Sequence, residues 1–149
     1  MKEKEKSRQL RDALRRLIVA NGTLKKAERP CGTPLTQVHA YALLELLEHG
    51  EMTVSALAEK LSIDRTNVSR LCSRMEKEGD LSRRVSKHDQ RVKNIRLTRK
   101  GKSLAKRVDQ SSVNYFEEMV GELGESTQEV ISALECLENV MIGEKNEDE

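Results

Sequence analysis

Residues 64–79 read Asp-Arg-Thr-Asn-Val-Ser-Arg-Leu-Cys-Ser-Arg-Met-Glu-Lys-Glu-Gly. Val68, Leu71, Cys72 and Met75 recur at i, i+3, i+4 and i+7, the spacing of one buried helix face. The other face then carries Arg65, Thr66, Asn67, Ser69, Arg70, Ser73 and Arg74. These guanidinium, hydroxyl and amide groups suit base edges and phosphates. Asp64 is placed to cap the helix, and no acid follows it on that face up to Arg74. A face that meets only water usually mixes acids and bases as i,i+4 pairs. Three arginines without a glutamate over residues 65–74 favour contact with a polyanion. A second cationic group lies downstream. Arg83, Arg84, Lys87, Arg91 and Lys93 surround a polar stretch, Ser86 to Arg91, that two short β-type runs flank. An arginine at such a hairpin tip can enter a narrow DNA minor groove, where the negative potential is strongest.

Other chemistry is sparse. Cys31 lies in a Gly/Pro loop beside Arg29 and near Lys25 and Lys26. Nearby cations lower a thiol pKa, which makes Cys31 a candidate redox switch; an incidental thiol is the plainer reading. Cys72 and Cys136 adjoin apolar stripes and read as small core residues. The three cysteines are far apart, which excludes a disulfide framework and argues against a zinc knuckle. His39 with Cys31 and Glu45 follows no ligand spacing, so no metal site is expected. No Ser/His/Asp set, paired carboxylates or phosphate-cradling loop can be assembled. Lys100-Gly101-Lys102-Ser103 lacks the upstream glycine and strand of a P-loop. The expectation is therefore a non-enzymatic protein with no cofactor.

The elements that must position these side chains follow from periodicity and breakers. Leu10, Ala13, Leu14, Leu17 and Ile18 form one stripe of a first helix from about Lys6 to Lys26, broken by the Pro/Gly segment 29–34. Thr36 caps a second helix, with Ala40, Leu43, Leu44 and Leu47 inward, and Gly50 stops it. Thr53 caps a short helix, Val54 to Leu61, and Ser62-Ile63 is a tight connection to the helix that Asp64 caps and Gly79 ends. A hairpin follows, with Leu81 and Val85 in one strand and Val92 to Leu97 forming the other. Thr98 caps a long helix to about Leu123. Ser126 opens a last one with Val130, Leu134, Leu137 and Met141 inward, and the residues after Gly143 form a charged tail.

The order is helix, turn, helix, then strand, polar tip, strand: a mainly α winged helix-turn-helix with a two-stranded β-wing and terminal helices on either side. The reading divides the chain into an N-terminal helix and linker (1–34), a winged helix (35–100), C-terminal helices (101–143) and a tail (144–149). Both terminal stripes need cover that a compact winged helix cannot supply, so a homodimer is expected; its twofold axis would also match palindromic DNA.

The charge distribution agrees. Residues 54–112 hold 16 Lys+Arg against 7 Asp+Glu, a net of +9, whereas residues 113–149 hold 1 against 11, a net of −10. A basic middle beside an acidic end marks a polyanion-binding surface set apart from a region that is not one. Aromatics make up only 2% of the 149 residues, which argues against a large aromatic-walled substrate pocket. There is no 18-residue apolar run and no signal-peptide stretch at the N-terminus, so no membrane partner and a cytoplasmic location are expected.

The stretches "LAEKLSIDRTNVSRL", Asp89-Gln90-Arg91 and "IRLTRKGK" sit within Leu35 to Leu104. Together they resemble the MarR family of bacterial winged-helix regulators. The resemblance implies a sequence-specific, homodimeric repressor of double-stranded DNA, released by a small-molecule effector or by cysteine oxidation. It further implies that Arg91 reaches the minor groove and that Asp89 braces the wing by pairing with an arginine. Arg84, Lys87 and Lys93 complete the expected wing contacts. Asp80 departs from the pattern, because the family usually has an apolar residue there. The competing expectation is a protein-interaction or anti-regulator module that uses the winged helix without an operator of its own.

Overall fold

A computed structural model describes residues 2–22 and 35–147 of the chain. Its elements are α1 (Lys2–Gly22), α2 (Gln37–His49), β1 (Met52–Thr53), α3 (Val54–Leu61), α4 (Arg65–Lys77), β2 (Leu81–Val85), β3 (Lys93–Leu97), α5 (Arg99–Leu123) and α6 (Thr127–Glu147), with a 3₁₀ turn at Gly124–Ser126 before α6. The caps explain the boundaries. Thr36, Thr53 and Asp64 each accept a hydrogen bond from the backbone N–H three residues on, at His39, Ala56 and Asn67. The Thr98 hydroxyl does the same for Gly101. Gly50 and Gly79 follow α2 and α4 with φ of 74° and 85°, left-handed values that other residues adopt only with strain.

The chain divides into two compact units, Met1–Ser112 and Val113–Glu149. In the first, α2, α3, α4 and the sheet enclose the core. Leu43, Leu57, Val68, Cys72, Met75, Leu81, Ile95 and Val108 are fully buried. Each such aliphatic side chain contributes about 1.5–3 kcal/mol relative to an exposed one. Gly101, Ala105 and Val108 bury the first turns of α5. At Gly101 a Cβ would lie 1.9 Å from the carbonyl oxygen of Asp80, so only glycine lets the helix approach the turn before β2. In the second unit no described residue is buried; Leu123 and Leu137 are partly covered.

The sheet is antiparallel in the order β1-β3-β2. Met52 pairs with Ile95, and Leu81 with Leu97. The two-stranded wing hairpin is β2–β3; β1 adds a third strand to its sheet, too short for any alternation to reveal. Three further expectations change. Helix α1 begins at Lys2 instead of about Lys6, and its extension to Lys26 falls outside the described residues. Helix α6 runs through Gly143 to Glu147 where a charged tail was expected. Cys136 is exposed, unlike buried Cys72. Cys31 lies outside the described residues.

Candidate nucleic-acid interface

The turn between α3 and α4 sets the direction of α4. Ser62 closes α3 in the left-handed region, its N–H donating to Ala58 and Glu59 carbonyls. Asp64 then opens α4 through both carboxylate oxygens, at 3.4 and 3.3 Å from Asn67 N. With Val68, Leu71, Cys72 and Met75 buried, the opposite face turns outward. Arg65, Thr66, Asn67, Arg70, Ser73 and Arg74 are exposed and Ser69 is half-buried.

The wing closes against that face. Ser86 N donates to Val92 O at 2.8 Å at the base of the tip, and Val92 N to Asp89 O at 3.1 Å within it. A groove runs between the start of α3, the outer face of α4 and the wing. It is lined by Ser55, Arg65, Thr66, Arg70, Arg91 and Lys93 among others. Residues of α4 and of the wing, separated by about 20 positions in sequence, therefore share one concave, cationic surface. Arg65, Arg70, Arg91 and Lys93 form no ion pair among the described residues, so their donors face outward uncommitted.

Other expected contacts have structural duties. Arg84 grips Glu51 with two hydrogen bonds of 2.6 Å. That hydrogen bond holds the Glu51 carboxyl below the usual carboxylate range and raises the Arg84 guanidinium. Ser73 accepts a 2.9 Å bond from Arg83, whose Nε also lies 3.5 Å from Glu76. Arg83 thereby ties β2 to α4. Lys87 stands exposed on the tip. Asp89 does not brace the wing through an arginine side chain; its carboxylate accepts from the backbone N–H of Arg91 at 2.9 Å, and it has no ion pair among the described residues. A one-residue separation favours this local turn over reaching a distant guanidinium.

The sequence reading missed Glu51, whose partner is 33 residues away, and a buried polar group at the far end of α4. His39 and Asp80 are both buried, and Glu78 joins them. One sign was available: His39 falls on the inner face of α2 with Leu43 and Leu46, at i, i+4 and i+7. Burial pushes the His39 pKa below the usual imidazole range, an effect the Glu78 and Asp80 carboxylates oppose. Burial likewise pushes the Cys72 thiol up, away from thiolate chemistry.

Residues 33–92 match the model of the MarR family. The structure resembles that of a MarR family protein from Bacillus stearothermophilus, 28% identical, with a TM-score of 0.64 over 95% of this chain and 97% of that one. Residues 33–92 are thus a MarR-type segment. MarR family regulators are non-enzymatic DNA-binding proteins. Two relatives from Escherichia coli are HTH-type transcriptional regulators. PrsX is 31% identical over 83 residues, 56% of this chain and 50% of its own length. PapX is 32% identical over 78 residues, 52% of this chain and 48% of its own. The chain spans about half the length of these curated relatives. The MarR-type segment 33–92 contains α2 to β2 and the wing tip. No helix among the described residues is long and apolar enough to cross a membrane.

Proposed function

We propose that this protein is a homodimeric transcriptional repressor that places α4 in the major groove of a palindromic operator and answers to an effector in the cytoplasm. One observation carries the reading: the unpaired arginines of α4 and the cations of the wing border the same groove. A recognition helix and wing so arranged can grip adjacent grooves of one duplex. On this reading Arg65, Arg70 and Asn67 approach base edges, Arg74 and Lys93 hold phosphates, and Arg91 enters the minor groove. The dimer is supported by the apolar stripes that the chain leaves open. Leu10, Leu17 and Ile18 of α1 are 56%, 56% and 62% exposed, and Leu134 of α6 is 50% exposed. Contiguous apolar faces on a charged protein mark association surfaces.

Selection from a random duplex pool tests the proposal. It should return an inverted repeat with half-sites about one helical turn apart. For a dimer making about 8 phosphate contacts, log K should fall against log salt with a slope near −7. A slope shallower than about −2, or no enriched sequence, would overturn it and leave the protein-interaction reading.

A further inference from the structure

At the C-terminal end of α4, away from the groove just described, three ligand-type side chains meet. The imidazole of His39 in α2 and the carboxylates of Glu78 and Asp80 each bring a donor atom within 4.8 Å of the other two. His39 is 4% and Asp80 3% exposed, yet His39 Nε2 and Asp80 Oδ1 have no hydrogen-bond partner among the described residues. An unpaired buried polar atom costs about 1–3 kcal/mol, so His39 Nε2 calls for a partner, and Asp80 Oδ1 has only the Lys100 ammonium at 3.6 Å. The surrounding backbone is fixed. Asp80 N donates to Met75 O, Asp80 O accepts from Thr98 N, and Gly101 packs against that same carbonyl. Only Glu78, exposed at the rim, is free to swing.

We propose that His39, Glu78 and Asp80 bind one divalent transition-metal ion, and that the bound ion strengthens operator binding. The second half rests on the proposed DNA-binding function; the first does not. One imidazole nitrogen and two carboxylate oxygens suit zinc, cobalt, iron or manganese, whereas calcium and magnesium prefer all-oxygen shells. Ligand atoms about 2.1 Å from a tetrahedral ion lie roughly 3.4 Å apart. The present separations need to contract by about 1.4 Å at most, which side-chain rotation of Glu78 toward the pair and small rotations of His39 and Asp80 would supply. Water completes the shell, because three protein ligands leave a position open.

Lys100 is the built-in competitor. Its ammonium lies 3.6 Å from Asp80 Oδ1 and donates to the Glu78 carbonyl at 2.6 Å. Its side chain is largely exposed and can leave without unfolding anything. A dication in its stead ties α2 to the end of α4 and adds one net positive charge to the basic winged helix. Both consequences favour a polyanion.

The test titrates Zn²⁺ into the full chain against a chromophoric chelator, and repeats it with Co²⁺ read by absorption. One ion should bind per chain, without the charge-transfer band that a cysteine thiolate gives. Glu78→Gln, at an exposed position, should weaken binding about 10–100-fold, and His39→Gln at least as much. Lys100→Gln should strengthen it, a gain that a merely structural cluster would not show. On the selected duplex, Zn²⁺ should tighten wild-type binding by about fivefold and leave Glu78→Gln unchanged. Absent uptake, or uptake that ignores Glu78→Gln and Lys100→Gln alike, overturns the site even if His39→Gln fails to fold. Uptake with unchanged DNA affinity overturns the effector role. If neither metal-free nor Zn²⁺-loaded protein holds any duplex, the operator reading fails while the ion measurements stand. Normal DNA binding without ion uptake sinks the metal site alone.

Discussion

The basic winged helix and the acidic Val113–Glu149 unit are built from the same kind of apolar stripe and treat it in opposite ways. In the winged helix the stripes of α2, α3 and α4 vanish into one core, with Leu43, Leu57 and Val68 fully buried. In the acidic unit the stripe of Val130, Ile131, Leu134 and Met141 stays open to solvent. Periodicity therefore says that a face is to be covered, and says nothing of whether the cover comes from the same chain. The charges divide along the same line. A net of +9 over residues 54–112 attracts nucleic acid, and a net of −10 over 113–149 repels it. On the proposed function the acidic unit faces another copy of the chain and the basic module faces DNA.

The largest expected effect separates the two kinds of stripe. Leu57→Ala should cost about 2–5 kcal/mol of stability at any protein concentration, because the cavity lies within one chain. Leu134→Asp should instead lower the sedimenting mass from about twice 16.9 kDa toward a single chain, and its thermal cost should depend on concentration. If Leu134→Asp leaves both sedimentation and melting unchanged, the two stripes are not distinguished by their cover.

Next comes the seat of α5, where the winged helix closes by backbone contact instead of side-chain packing. Gly101→Ala pushes a methyl into the Asp80 carbonyl and should cost about 1–3 kcal/mol or more in urea unfolding. Gly121→Ala, in open space within the acidic unit, should be neutral or stabilising. Equal effects at the two glycines would erase the contrast.

On the DNA-facing surface the differences lie in affinity. Arg70→Ala should cost about 1–3 kcal/mol per half-site and relax the selected motif, with little change in melting. Arg84→Ala should do less, because its guanidinium is already held by Glu51. An unchanged motif after Arg70→Ala would reassign the base contact. The smallest effect is expected at Asp89. Its loss removes a negative charge near DNA, which alone would tighten binding. It also removes the 2.9 Å bond that orders the tip before contact. Ordering should win, so Asp89→Ala should weaken binding by about 1 kcal/mol or less. Tighter binding at moderate salt would show that charge outweighs shape at the wing.

What the sequence discloses follows from distance along the chain. Thr36, Thr53, Asp64 and Thr98 act on an amide three residues away, so each cap is readable beside the helix it starts. The outward face of α4 is equally local. The Arg84–Glu51 clamp and the meeting of His39 with Asp80 join residues 33 and 41 positions apart, and nothing in their neighbourhoods announces a partner. Asp80 is legible only as a departure from the apolar residue of the family that the segment resembles; the imidazole it faces comes from the fold. Strand β1, of two residues, is too short to carry a pattern. Cys136 lies beside an apolar stripe, but the stripe's exposure removes the reason to expect a buried thiol.

Asp64 closes the start of the recognition helix, and this bears on how fast a target is found. Its carboxylate already occupies the amide of Asn67, so one of the rigid N–H groups that could have pinned a phosphate at that helix end is taken. The grip on the sugar-phosphate chain falls to exposed arginine and lysine side chains, whose rotamers change in picoseconds to nanoseconds. Such contacts can be handed from one phosphate to the next without lifting the protein off the duplex. On the proposed function, a regulator held this way would slide and hop along non-target DNA, with a search time set by how many cations let go at each step.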